Sequence, residues 1–138
     1  MISKILVAYD GSSSAEKALD FAIDLAKSVN ASVVILHVVN TCIESWGVVS
    51  NDTIERMKKK AYECINNAVE KVKKNGISVE GQVIEGEPSS TIVDFAEKVN
   101  ASLIVVGSRG LSRLKRTLIG SVSLAVLEHS KIPVLVVK

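Results

Sequence analysis

The stretch of chain from position 107 to 123 carries the residues best suited to bind an anion. It leaves a short apolar run at Gly107 and reaches a helix-like pattern at Gly120-Ser121. Four cations and no acidic residue lie between these glycines: Arg109, Arg113, Lys115 and Arg116. Glycines let the backbone approach a ligand closely, and free N–H groups at a helix amino terminus attract anions. The combination favours a phosphate cradle, although a solvent-exposed loop whose glycines only form turns has the same composition.

Common motifs for nucleotide binding, nucleophilic catalysis and zinc binding do not occur in the chain. No Gly-Lys-Ser/Thr triplet ends the glycine segment, and neither Gly-x-Gly-x-x-Gly nor Gly-x-Ser-x-Gly is present. His37 lies inside an apolar run and is interpreted as a satisfied core or edge histidine, whereas His129 is expected in the last turn of a helix. Cys64 is interpreted as a core residue, and Cys42 has no assigned role; the cysteines form no zinc-binding cluster.

The composition indicates a globular protein with nearly balanced charge. The 138 residues are 47% apolar and 23% charged, which suffices for one domain with a real core. The net charge of +2 argues against a dedicated nucleic-acid binder, in which a one-sided basic excess is expected. No apolar run approaches the roughly 18 residues of a membrane span, and the first residues do not resemble a signal peptide. We therefore expect a soluble cytoplasmic protein that does not contact membranes.

The elements that must hold the candidate residues follow from the pattern of apolar positions. Five short runs rich in β-branched residues cover 5–8, 33–39, 77–84, 103–106 and 134–137. Four of them are continuous, as in parallel strands that helices cover on both faces, whereas the third alternates and is expected at an edge of the sheet. Helix-length stretches separate the runs. The order β-α-β-α-β-α-β-α-β therefore predicts an α/β fold with a mainly parallel sheet.

Apolar residues spaced three and four apart predict the helices between the strands. Ser13-x-x-Glu16 matches a capping box at the start of the first helix. The second helix is predicted over about 52–74, and Asn75-Gly76 is typical of a left-handed cap at its end. Pro88 suits the first turn of the third helix, and the fourth is predicted over about 120–129.

The spacing Gly107-x2-Gly110-x9-Gly120-Ser121 closely resembles the motif of the ATP-binding branch of the universal stress protein family. Segments 7–12 and 133–137 match the same family, so the resemblance covers the whole chain in order. It implies one universal stress protein domain over 1–138, with a Rossmann-like fold. In that fold an open five-stranded parallel sheet has the order 3-2-1-4-5 and helices on both faces. The edge position predicted for the third strand agrees with this order.

The resemblance also implies where a nucleotide binds. In the order 3-2-1-4-5 the chain changes direction between strands one and four, and ligands of open α/β sheets bind in the crevice at such a point. Asp10 is implied beside the adenosine, with a plain Asp-Gly turn as the alternative, and the backbone of Val38 is implied against the adenine. The implied nucleotide-binding residues are Ala8, Asp10 and Val38, then Gly107, Arg109, Gly110, Gly120, Ser121, Val122 and Ser123 around the ribose and phosphates.

The residues and the resemblance together predict a regulatory ATP-binding protein of the stress response, without efficient turnover. Phosphate-binding groups are present but no water-activating base is evident, and Asp10 can hold Mg²⁺ through the phosphates. The alternatives are a slow ATPase, a protein autophosphorylated at Ser121 or Ser123, and an adaptor or chaperone-like protein that uses no nucleotide. An unidentified protein partner is expected to read the nucleotide-bound state.

The last strand predicts a homodimer. Residues 134–137 are apolar and uncharged, and in the implied order they form an unprotected edge of the sheet. Many members of the family dimerise through this strand, so the resemblance implies antiparallel pairing across a twofold axis. A monomer whose last strand is covered by a helix is the alternative.

Overall fold

The computed structural model describes residues 1–41, 50–109 and 119–138, in which strands and helices alternate. The strands are β1 (Lys4–Ala8), β2 (Ser32–Asn40), β3 (Val79–Gly86), β4 (Leu103–Gly107) and β5 (Val134–Val137). The helices are α1 (Ser13–Val29), α2 (Asn51–Lys73), α3 (Pro88–Lys98) and α4 (Ser121–His129). The predicted order of elements is confirmed.

The five strands form one parallel sheet in the order β3-β2-β1-β4-β5, as the family resemblance implies. β1 is central, because Val7 pairs with Ile35 of β2 on one side and with Val105 of β4 on the other. The edge position predicted for β3 is confirmed. Its sequence alternates because an edge strand is covered less completely, and along β3 exposed residues alternate with half-buried ones for most of its length.

Two apolar cores fill the two faces of the sheet, because successive side chains of a strand point to opposite sides. On one face Val7 belongs to a cluster with Leu19 of α1, and α2 covers the same face. On the other face Leu6 clusters with Ile92 of α3 and Val126 of α4. Leu6 and Val7 are fully buried neighbours in sequence that serve opposite cores. Helices therefore cover both faces, as predicted from the continuous apolar runs.

Ser12, rather than Ser13, caps α1, so the predicted capping box is wrong. The Ser12 hydroxyl accepts a hydrogen bond at 3.1 Å from the amide three residues further along. Glu16, the expected acidic partner in the box, instead accepts a hydrogen bond from the Tyr9 hydroxyl and forms an ion pair with Lys71 at 2.9 Å. Glu16 thus connects the end of β1 with α1 and α2.

The turn after α2 confirms the predicted left-handed residue at Gly76. Its φ is +74°, a conformation that glycine adopts without the steric cost of a Cβ atom. The Gly76 amide donates a hydrogen bond to the Lys73 carbonyl at 2.9 Å, which satisfies one of the last carbonyls of α2.

None of the helices within 1–41, 50–109 and 119–138 is both long enough and apolar enough to span a membrane.

The acidic cap at the start of α3 is a feature that the sequence analysis missed. Glu87 is the N-cap residue, and its carboxylate accepts hydrogen bonds from the amides of Ser90 at 2.8 Å and Ser89 at 3.1 Å. The hydrogen bonds from Ser90 and Ser89 lower the pKa of Glu87 from 4.5 to about 2. Pro88 follows in the first turn, as predicted.

We predict that Glu87→Ala lowers the free energy of unfolding at pH 7 by about 1 kcal/mol, a usual value for an N-cap. Because the folded protein has the lower pKa, the wild type loses this advantage as pH falls from about 4.5 to about 2. Urea unfolding of both proteins across that range measures the difference, with Asp94→Ala on the same helix as the control. A difference that does not change with pH would contradict the prediction.

Candidate functional site

The carboxyl ends of β1, β2 and β4 meet at one edge of the sheet. β1 lies between the other two strands, and the helices that follow β1 and β4 pack on opposite faces. The crevice between diverging helices is the switch point at which open α/β sheets bind ligands. Four predicted site residues lie at this edge, namely Ala8, Asp10, Val38 and Gly107. The fold therefore brings together residues that are as far as 99 positions apart in sequence.

Asp10 forms the turn between β1 and α1. Its Oδ1 atom accepts a hydrogen bond from the Ser12 amide at 2.9 Å, and Gly11 adopts the left-handed conformation with a φ of +82°. Asp10 is thus a turn residue, the alternative that the sequence allowed. Its side chain is also half-buried at the edge of the crevice. Among the described residues its Oδ2 atom has no hydrogen-bond partner, so this oxygen can contact a ligand.

Gly107 lacks a side chain at the point where α1 passes over the end of β4. A Cβ atom there would collide with the Ser14 hydroxyl and lie 2.8 Å from the Ser14 carbonyl oxygen. Gly107 therefore makes room for the first turn of α1, and its predicted contact with a ligand stays a prediction. The Ser14 hydroxyl also accepts a hydrogen bond from the Arg109 amide at 3.0 Å. Sequence reasoning missed Ser14, because nothing in the sequence distinguishes it from the serines beside it.

Residues 107 and 108 are also tied to α4 and to β5. The Ser123 hydroxyl donates a hydrogen bond to the Gly107 carbonyl at 2.6 Å, and the Gly120 amide donates to the Ser108 carbonyl at 2.5 Å. The Ser108 amide donates in turn to the carbonyl of Val137, at the end of β5, at 2.9 Å. The Ser123 hydroxyl is thus buried and holds the chain where it leaves β4.

The amino terminus of α4 has no side-chain cap. Gly120 is the N-cap residue, and the Leu124 amide donates to its carbonyl at 2.9 Å to close the first turn. No described residue accepts a hydrogen bond from the amides of the three residues before Leu124, which are Ser121, Val122 and Ser123. The first turn also carries no acidic residue. Free N–H groups at the positive end of a helix form an anion site.

The basic residues of the glycine segment are described only in part. Arg109 is exposed and follows Ser108 beyond the end of β4. Gly110, Arg113, Lys115 and Arg116 lie outside the described residues, as does Cys42, and their predicted contacts stay predictions.

Two titratable side chains lie beside the crevice on the face covered by α1 and α2. Burial, together with the hydrogen bond to Glu16, raises the pKa of the Tyr9 hydroxyl. Burial, together with the charge of Asp10, raises the pKa of the Cys64 thiol, which lies against Gly11. Both groups are protonated at neutral pH and therefore pack as neutral side chains. Tyr9 lies two positions after Val7, so its side chain points to the same face as Val7, the one covered by α1. This placement could have been read from the sequence.

The interpretation of His37 as a satisfied core or edge histidine is not met at its Nδ1 atom. Its Nδ1 atom is buried and has no hydrogen-bond partner among the described residues. Burial lowers the pKa of His37, and the charge of Asp10 opposes this change. His37 and Ile35 are two positions apart in β2, so their side chains point to the same face of the sheet. The His37 ring therefore lies on the face covered by α1 and α2, opposite α4. It is therefore not placed to act at the amino terminus of α4.

His129 lies in the last turn of α4, as predicted, with its Nδ1 atom 2.8 Å from the Ala125 carbonyl oxygen.

The chain was compared with known protein families and with individual proteins. The model of the universal stress protein family matches residues 1–138. The chain belongs to the universal stress protein family. It is 40% identical to the universal stress protein YxiE of Bacillus subtilis over 148 aligned residues, which cover 100% of both proteins.

Solved structures share the fold of this universal stress protein. The structure of hypothetical protein MJ0577 has a TM-score of 0.90 at 31% identity, and the match covers 100% of this chain and 96% of that one. The universal stress protein from Archaeoglobus fulgidus in complex with dAMP has a TM-score of 0.74 at 28% identity, with 100% and 98% covered. The Rossmann-like fold that the sequence resemblance implied is thus confirmed.

We predict that Gly107→Ala lowers the free energy of unfolding by about 1–3 kcal/mol, the usual cost of overpacking. The added methyl group would meet the backbone of α1, which cannot move aside as a flexible side chain can. The comparison is Gly76→Ala, where no atom lies within 4 Å and only the positive φ opposes a side chain, at a cost of about 1 kcal/mol. Urea unfolding measures both variants. A Gly107→Ala protein as stable as the wild type would contradict the proposed contact.

Proposed function

We propose that this universal stress protein binds ATP in the crevice between β1 and β4 and thereby regulates a protein partner in the stress response. The observation that carries the proposal is the uncapped amino terminus of α4 beside the carboxyl ends of these strands. The amides there can donate hydrogen bonds to phosphate oxygens at the positive end of a helix. The dAMP complex of the Archaeoglobus relative supports an adenine nucleotide as the ligand.

In the proposed complex the nucleotide lies across the crevice from β2 to α4. The adenine contacts the backbone of Val38, and the adenosine lies beside Ala8 and Asp10, whose side chains are half-buried. The ribose and phosphates follow the chain from the end of β4 to the first turn of α4. The proposed contacts there come from Gly107, Arg109, Gly110, Gly120, Ser121, Val122 and Ser123.

We propose ATP rather than a monophosphate as the ligand because the segment from Gly107 to Gly120 is strongly basic. Each further phosphate adds negative charge, which four cations and no carboxylate between Gly107 and Gly120 would attract. Among the described residues, no group of three or more His, Cys, Asp or Glu side chains could hold a metal ion. A Mg²⁺ ion would therefore bind mainly through the phosphates, with Asp10 as its protein ligand.

A regulatory role fits the side chains near the proposed phosphate position. His37 lies on the opposite face from α4 and is not placed to activate water there, and Asp10 is proposed as the Mg²⁺ ligand. Nucleotide binding would instead favour one conformation or assembly, which requires different affinities for two states. We propose that the partner reads this state in the cytoplasm, where a free thiol such as that of Cys64 persists.

Autophosphorylation at Ser121 is the second candidate function, because its exposed side chain lies at the amino terminus of α4. Ser123 is a poorer acceptor, since its buried hydroxyl already donates to the Gly107 carbonyl. A slow ATPase would release phosphate beyond one turnover per site, and an adaptor that uses no nucleotide would bind no ATP.

We also propose a homodimer formed through β5, the second edge of the sheet. The carbonyls of Pro133 and Val137 accept hydrogen bonds from the β4 side. Because backbone groups alternate along a strand, the N–H and C=O groups of Val134 and Val136 point away from β4. An apolar edge with such groups invites a second strand. Antiparallel pairing across a twofold axis would close the assembly at two chains.

We predict that Gly120→Asp abolishes ATP binding without loss of stability. The new carboxylate would accept the free amides of α4 and repel phosphates, while aspartate is one of the best N-cap residues. The matched variant is Gly120→Asn, which has nearly the same shape and can cap the helix without the charge. It should weaken ATP binding less. Calorimetric titration with ATP and thermal unfolding measure the two effects.

Equal ATP affinity of the wild type and Gly120→Asp would contradict the placement of the phosphates at α4. A wild type that binds no ATP would favour the adaptor. Sustained phosphate release by the wild type would favour the ATPase.

We predict that Val136→Pro converts a dimeric wild type into a folded monomer. Proline removes an N–H group that points away from β4, so every hydrogen bond to β4 remains, and edge strands tolerate proline at such positions. The control is Val136→Thr, which keeps both the N–H group and a β-branched side chain and should stay dimeric. Light scattering after size exclusion gives the mass of each protein. A monomeric wild type, or a dimeric Val136→Pro, would refute this interface.

A further inference from the structure

Ser14 lies in the first turn of α1 but does not cap that helix. The cap is Ser12, whose hydroxyl accepts the amide of Ala15 at 3.1 Å. The Ser14 hydroxyl is thereby free to contact another element. It accepts a hydrogen bond from the Arg109 amide at 3.0 Å, across 95 positions of sequence. A side chain of the α1 turn thus holds the chain at the point where it leaves β4.

The contact with Arg109 is one of several that fix this point of the chain from opposite faces of the sheet. On the α1 face, the backbone of Ser14 lies so close to Gly107 that a Cβ atom would be 2.8 Å from the Ser14 carbonyl oxygen. On the α4 face, the Ser123 hydroxyl donates to the Gly107 carbonyl at 2.6 Å. The peptides from 107 to 109 therefore have their directions set before any ligand arrives.

The direction of these peptides matters for the phosphate end of the crevice. Arg109 is the first cation after β4, and the glycine segment continues from it. Binding groups that are already oriented lose less conformational entropy when a ligand binds, which strengthens binding without any new contact. Loss of the Ser14 hydroxyl would leave the Arg109 amide without this acceptor and free the start of the segment to reorient.

We propose that Ser14 is a positioning residue for phosphate binding, which acts through its hydrogen bond to the Arg109 amide rather than by touching the nucleotide. The inference rests on the proposed nucleotide function of the same crevice. It assigns to the first turn of α1 a task separate from the turn at Asp10. Ser14 holds the chain beside the proposed phosphate position, so the effect of losing its hydroxyl on affinity should depend on how many phosphates the ligand carries.

The test is calorimetric titration of the full-length wild type and Ser14→Ala with ATP and with adenosine. We expect Ser14→Ala to bind ATP about three- to tenfold more weakly, the range for the loss of one hydrogen bond, and to bind adenosine unchanged. Ser13→Ala changes the exposed serine next to it and should behave as the wild type. Ser14→Thr keeps the hydroxyl and should restore ATP affinity. Hydrogen exchange of the Arg109 amide without nucleotide should be faster in Ser14→Ala alone.

The outcomes separate this inference from the proposed function. If the wild type binds no ATP, the proposed function fails and the role of Ser14 fails with it. If the wild type binds ATP and Ser14→Ala binds it equally well, only the role of Ser14 is overturned. Equal weakening for ATP and adenosine would also overturn it, because that pattern indicates general damage to the crevice rather than positioning at the phosphate end.

Discussion

Where β4 ends, the first turn of α1 lies so close to Gly107 that a methyl group would not fit between them. This contact brings α1 over β4 although α1 follows β1, and it leaves α4 to pack on the opposite face. The crevice at the switch point exists because the two helices diverge from neighbouring strand ends. A bulkier residue at 107 would push α1 away from the sheet. It would therefore change the crevice both at the end of β4 and along α1.

The two peptide groups between Gly107 and Arg109 connect the end of β4 with α1, α4 and β5. Ser108 alone joins α4, through the Gly120 amide, and β5, through the Val137 carbonyl. α4 buries Ser123 and Val126 among its own residues; Ser123 donates to the Gly107 carbonyl, and Val126 packs in the apolar core on that face. The carbonyl and the amide of Ser108 belong to two successive peptide groups, so α4 and the end of the edge strand are held through one residue.

The layered fold could be predicted from the sequence because its cause is local. Continuous β-branched runs signal buried parallel strands, and the alternation at 77–84 marked β3 as an edge before any topology was known. The strand order and the switch point came from the family resemblance. Asp10 and Gly107 could be placed at the crevice from that order, since they end neighbouring strands, whereas the contact at Val38 came from the family resemblance.

The features that the sequence did not reveal depend on contacts through space. Three consecutive serines begin α1, and any of them has the chemistry of a cap; packing against β4 decides that Ser12 caps and Ser14 reaches Arg109. The contact between Gly107 and α1 was missed because a glycine pattern does not say which neighbour needs the space. Glu87 was missed because glutamate is an uncommon cap, and only the two serine amides above it make it one.

A crystal structure of the protein grown with ATP is the most direct test, because it shows whether the phosphates lie at the amino terminus of α4. We expect phosphate oxygens within hydrogen-bond distance of the amides of Val122 and Ser123, and the adenine against the backbone of Val38. The Gly107 carbonyl should keep its hydrogen bond from the Ser123 hydroxyl. ATP bound with its phosphates directed away from α4, or bound outside the crevice between β1 and β4, would contradict the account.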